Sequence, residues 1–188
     1  MKTNQIINEL RIVAGFEWNA KNKAYLETMV KDAHVVECVQ MSEVFNPEQL
    51  DFLREFYEAK PKHCFSNSSK FVKLMSQPLA RGLFTEPVRY VEGFAYDGYL
   101  FPIEHGFVKV GDKYIDPTFE QALKLDVSKE QYVAIIELEP ATMMKYEVET
   151  GCYGELYKYD YYCKHDPGMA SRIRSINPNR EKKKPRLV

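Results

Sequence analysis

The 188-residue chain is short of the features that announce specialised protein classes. It has four cysteines, Cys38, Cys64, Cys152 and Cys163, too few and too scattered for a disulfide scaffold. In a reducing compartment they are free thiols, so one of them can serve as a nucleophile without being consumed in a bridge. No apolar run approaches the roughly 20 residues of a membrane span. The first residues, MKTNQIINELRIVAGFEW, carry Glu9 and Arg11 where a signal peptide needs an unbroken apolar stretch. These absences lead to the expectation of a cytoplasmic protein without a membrane partner. There is no glycine loop of the Walker or Rossmann kind to cradle phosphates, and no internal repeat.

What remains is enough for one ordinary domain. Hydrophobic residues make up 45% of the chain and aromatics 13%, with 13 tyrosines against a single tryptophan. Many of those tyrosines are expected to be half-buried, with the ring packed and the hydroxyl hydrogen-bonded. The net charge of −1 is unevenly spread. Residues 171–188 hold seven Arg or Lys and one Glu, a local +6 that leaves −7 on the first 170 residues. The expected organisation is a single domain over 1–170 and a basic, flexible tail over 171–188. Such a tail offers a route to nucleic acid, although tails of this kind are commonly just soluble ends.

Hydrophobic spacing predicts helices in the first half. Residues 3–14 carry Ile6, Ile7, Leu10 and Val13 on one face, with Thr3 as N-cap and Gly15 as the stop. A second helix covers about 20–33, and HVVECVQM is ambiguous, with a short strand as one reading. Asn46-Pro47 opens a third helix by cap and first-turn chemistry, ending at Pro61. Cys64 opens a fourth, which ends before Pro78. The period then changes. VRYVEGFAY, IEHGFVKV, KYID and QYVAIIELE read as strands, with a short helix or turn at FEQALKL. MMKYEV reads as one more strand, while GCYGELYKYDYYC has an aromatic alternation that suits half a sheet face or, less simply, base stacking. Helices first and strands afterwards imply an α+β domain with helices packed on an antiparallel sheet.

Three residues carry chemistry. Gly111-Asp112 is a two-residue hairpin signal, and closing the turn there pairs Val110 with Lys113. Stepping outward places Phe107 opposite Asp116 and His105 opposite Thr118. Side chains alternate along a strand, so His105 shares a face with Asp116 as its diagonal neighbour, close enough for a carboxylate to meet an imidazole. Cys64 lies at a helix start, where free N–H groups and the positive end of the dipole favour a thiolate and could bind an oxyanion. Thiol, imidazole and carboxylate are the parts of a cysteine nucleophile site.

The same segments resemble the transglutaminase-like superfamily of papain-like cysteine enzymes. In that family a cysteine-bearing helix is followed by a strand of the type RYVSGY, a strand beginning HAW, and DPT. The matching residues are Cys64, then Arg89-Tyr90-Val91-Glu92-Gly93-Phe94, His105-Gly106-Phe107 and Asp116-Pro117-Thr118. The resemblance spans roughly residues 60–120. Lys62-His63 replaces the usual glycine before the cysteine, and Phe107 stands where the family has tryptophan. The resemblance implies a catalytic helix on an antiparallel sheet, a Cys64-His105-Asp116 triad, and amide or acyl chemistry. The substrate would be a protein, a peptide or a small amide, and no metal or organic cofactor is needed. Members that have lost catalysis make a silent peptide-binding or nucleic-acid-binding module the alternative.

Asn67, Glu92 and Phe107 are the candidates for substrate contact. Asn67 serves equally as a helix-capping residue, and Glu92 either selects a cationic group or is an ordinary solvated charge. Tyr90 and Tyr96 suit site walls or plain core. His34, Cys38, Cys163 and His165 contain the residue types of a zinc site, but their spacing matches no strong motif.

Overall fold

A computed structural model describes residues 5–16, 19–80, 82–96, 98 and 101–176. The chain opens with two helices, α1 (Gln5–Gly15) and α2 (Ala20–Asp32), the second capped by the Asn19 side chain on the Asn22 N–H. A short strand, β1 (His34–Val36), leads into α3 (Pro47–Phe56). Asn46 caps α3 in a reciprocal box with Gln49, as Asn-Pro promises. This helix stops at Phe56, well before Pro61, because Tyr57 turns extended and gives its hydroxyl to the Asn67 carbonyl. Helix α4 (Cys64–Met75) follows, and then β2 (Val88–Tyr96), β3 (Ile103–Val110), β4 (Lys113–Ile115) and β5 (Gln131–Leu138). Three more helices close the described chain: α5 (Pro140–Thr150), α6 (Leu156–His165) and α7 (Pro167–Ile176).

All the strand pairs are antiparallel, in the order β1-β5-β2-β3-β4. The two edges then meet. Beyond β1, Cys38 bridges Tyr114 of β4 in parallel, and the Val39 N–H donates to the Tyr114 carbonyl at 2.8 Å. The sheet therefore curls round on itself. Its inner face collects Val36, Cys38, Val91, Ala95, Phe107, Phe119, Tyr132 and Ala134. Outside, Tyr90, Val108 and Val110 pack against α4 with Phe71 and Val72. Val133 and Ile135 pack against Ile6 and Leu10 of α1 and Met29 of α2. Alternation along β2 assigns each residue to one side or the other, and on β5 it holds up to the register shift opposite Glu92 and Gly93.

The mixed helix and antiparallel-sheet class is as expected, but the C-terminal third is not. MMKYEV lies inside α5, not in a strand. Pro140 occupies the first helical turn, and Gly151 closes the helix in a left-handed conformation, its N–H on the Glu147 carbonyl at 2.8 Å. GCYGELYKYDYYC is likewise no sheet face. From Leu156 it is α6, which buries Leu156, Tyr157, Tyr159 and Asp160. The expected flexible tail begins too early at 171, since α7 runs to Ile176 and Arg174 reaches the Tyr159 hydroxyl. Residues 177–188 lie outside the described residues. Among the described residues no helix is long and apolar enough to cross a membrane.

Candidate active site

The hairpin forms in the register that its turn dictates. Gly111 adopts a positive φ of 60°, and Val110, Lys109 and Val108 pair with Lys113, Tyr114 and Ile115. Strand β4 ends there because Pro117 follows, and the chain turns into a π-helical turn over Thr118–Ala122. Asp116 is thus released from the ladder while still pointing to the His105 side. Its Oδ2 lies 2.7 Å from His105 Nε2. Both residues are almost wholly buried.

Four donors hold the carboxylate. Oδ1 accepts the N–H groups of Thr118 and Phe119 at 3.0 Å each, and Oδ2 accepts the Tyr132 hydroxyl at 3.0 Å beside the imidazole. The first two bonds are an Asx-type turn, legible in an Asp followed by two short steps of chain. Tyr132 comes from β5 across the interior of the curl, and no local signal marks it.

Cys64 is the first residue of α4. The helix begins without a side-chain cap, so its leading N–H groups are not claimed by a neighbour's side chain. The helix start presses against β3 at Gly106. A Cβ on Gly106 would lie 2.9 Å from the Phe65 Cα, so only glycine allows this approach. Lys62, two residues before the thiol, holds a left-handed φ of 63°. That is the conformation in which a glycine would sit without strain.

With Nε2 engaged by Asp116, Nδ1 is the ring nitrogen left to address the thiol; it is buried and has no formed hydrogen bond. Burial acts to raise the Cys64 pKa, but the His105 ring and the N–H groups of Gly106 and Phe65 outweigh it and bring the thiol below its ordinary value. Burial likewise acts against a charged imidazole. The Asp116 carboxylate, helped by the sulfur, reverses that and holds His105 up at about 10. A lowered thiol beside a raised imidazole is the direction of shift that favours a thiolate–imidazolium pair.

The three expected substrate contacts are all buried. Phe107 is fully buried inside the curl, with its ring 5.5 Å from that of Tyr132, so it belongs to the core. Asn67 is also fully buried. Its amide binds both backbone groups of Lys60 and the Thr118 hydroxyl, so both amide hydrogens are engaged. Glu92 is no solvated charge. It sits opposite Gly106, buried, accepting the Tyr90 hydroxyl and the Tyr157 N–H at 2.8 Å each. Burial drives its pKa up to about 7, against the pull of the N–H groups of Tyr157 and Leu156. Glu92 does line a cavity of about 190 Å³ together with Phe65, Tyr25, Tyr157 and Glu104. Tyr90 is core, and His63 is exposed. His34 lies on β1 and Cys38 just beyond it, and no cluster of three or more metal-ligating side chains occurs among the described residues.

Compared with known proteins, the chain matches no family model, no curated protein and no solved structure.

Proposed function

We propose that this protein is a cysteine-dependent acyl-transfer enzyme of the transglutaminase-like, papain-like kind, with Cys64 as nucleophile, His105 as acid and base, and Asp116 as the group that orients the ring. The single observation that carries the reading is a buried imidazole held by a carboxylate at 2.7 Å, on the strand whose Gly106 packs against the first turn of the helix that Cys64 opens.

The chemistry runs in two halves. The Cys64 thiolate attacks the carbonyl carbon of an amide. Negative charge moves to the carbonyl oxygen, where N–H groups at the α4 start can receive it. Protonated His105 then gives its proton to the leaving amine as the C–N bond breaks, leaving a thioester. In the second half neutral His105 takes a proton from water or from a second amine, which attacks the thioester and frees the thiol. Water gives hydrolysis or deamidation, and an amine gives transamidation. No metal or organic cofactor enters either half. The substrate class is a protein, a peptide or a small amide. The setting is read as cytoplasmic, where the four free cysteines stay reduced.

Iodoacetamide labelling followed by mass spectrometry tests the reading. Cys64 should be alkylated faster than Cys38, Cys152 and Cys163 near neutral pH, and His105→Ala should abolish that preference. Labelling of Cys64 no faster than a peptide thiol, and indifferent to His105, would leave only a silent binding module.

A further inference from the structure

The thiol and the His–Asp pair belong to different parts of the chain, and their separation has to be set by something stiffer than the contact between them. One side chain joins the two. Asn67 lies one turn beyond Cys64 on α4 and is fully buried. Its Oδ1 accepts the Lys60 N–H at 3.1 Å, and its Nδ2 donates to the Lys60 carbonyl at 2.8 Å. The amide thus grips the segment that leads into the nucleophile. Its second Nδ2 hydrogen goes to Thr118 Oγ1 at 3.0 Å. Thr118 is itself buried, and its own N–H is one of the donors that hold Asp116 Oδ1. A closed path therefore runs from Cys64 through the first turn of α4 to Asn67, Thr118, Asp116 and His105.

We propose that Asn67 and Thr118 form a clamp that sets the reach between the Cys64 sulfur and the His105 ring, making both of them positioning residues of the site. The inference rests on the acyl-transfer reading above and adds to it the part that fixes the geometry. A planar amide suits the task, since it offers one acceptor and two donors in fixed directions. Asn67 uses all three. An unpaired amide or hydroxyl at this depth is costly, so the arrangement has little freedom to drift.

Thr118→Val removes the acceptor from the clamp. It keeps the Thr118 N–H on Asp116, the side-chain shape, and both Asn67 bonds to Lys60. Iodoacetamide labelling of Cys64 is followed against pH in wild type, Thr118→Val, Thr118→Ala and Thr118→Ser, with circular dichroism and thermal melting to establish folding. The expected result is a thiol titration moved toward the ordinary value in the Val and Ala variants, with labelling at pH 6 slower by about tenfold. The rate at high pH, where every thiol is ionised, should stay within about twofold of wild type, because the clamp alters reach and not access. Thr118→Ser, which restores the oxygen, should return the wild-type profile. If the Val variant does not fold, the Ala variant gives the same reading. Folded Val or Ala variants that titrate like wild type would overturn the clamp and leave the acyl-transfer reading standing. A Ser variant displaced as far as Val would also overturn it. An ordinary thiol titration in the wild type would overturn the clamp and the acyl-transfer reading together.

Discussion

Asp116 and Glu92 are both withdrawn from water, yet the two regions around them treat a carboxylate in different ways. Asp116 lies at the inside of the curled sheet, beside an imidazole and under three further donors. Its charge is answered, and the answer appears on the partner, since the His105 pKa is held at about 10. Glu92 lies outside the curl, under α4 and α6. It meets a phenol, the first N–H groups of α6 and the nearby charge of Glu104, and its pKa rises to about 7. The lesson is that two buried carboxylates act on different groups: the one beside an imidazole raises its partner, and the one among neutral donors is itself raised. A cation within hydrogen-bond reach stabilises a carboxylate's charge more firmly than neutral donors do.

Three substitutions sharpen or break this contrast. The largest effect belongs to Asp116→Asn, which leaves His105 without its counter-charge. The raised His105 pKa contributes stability that is full below about 6.5 and is lost as pH climbs through about 10. The variant should therefore lose on the order of 3 kcal/mol at pH 6, and the gap should close above pH 10, as read by urea unfolding at a series of pH values. An equal loss at every pH would show that the carboxylate supports packing and not charge.

Glu92→Gln should act with the opposite sign. A folded-state pKa raised from 4.5 to about 7 means that the native protein holds its proton more tightly than the unfolded chain. Wild-type stability then falls as pH rises from 4.5 to 7 and is flat above. Gln carries no such proton, so the slope in that window should vanish. Relative to wild type, the variant should gain about 3 kcal/mol between pH 4.5 and pH 8. A slope that survives the substitution would assign it to another group.

Lys62→Gly touches neither carboxylate. Replacing a residue at φ 63° with glycine relieves backbone strain but frees the unfolded chain. A net gain of about 0.5 kcal/mol is expected in thermal unfolding, with no movement of the Cys64 or Glu92 titrations. A shifted Cys64 titration would mean that the strained segment itself sets the thiol.

The parts of the molecule differ in how far the chain announces them, and the reason is the range of the interactions involved. The hairpin is local. Gly111-Asp112 fixes the turn, the turn fixes the register, and the register carries His105 and Asp116 to one face. Asn46-Pro47 and the start at Cys64 are equally local signals. The partners of Asp116 are only half legible: the Thr118 and Phe119 amides follow from Asp-Pro-Thr, whereas Tyr132 arrives from a strand 16 residues further on. The joining of the sheet edges at Cys38 and Tyr114 is wholly non-local. Phe107 looked like a ligand contact beside His105 because its burial depends on that closure. The misreading of α5 is of another kind, since Pro140 and Gly151 already marked a helix start and stop around MMKYEV. In α6 the tyrosines favour strands by propensity, and packing of Leu156, Tyr157 and Tyr159 overrides it.

The most direct measurement is the ionisation of the Cys64 thiol, followed by the pH dependence of its alkylation in wild type and in His105→Ala. The expected result is a wild-type thiol half-ionised below the ordinary value of about 8.5, and a variant returned to that value or above it. Superimposable titrations near 8.5 in both proteins would contradict it.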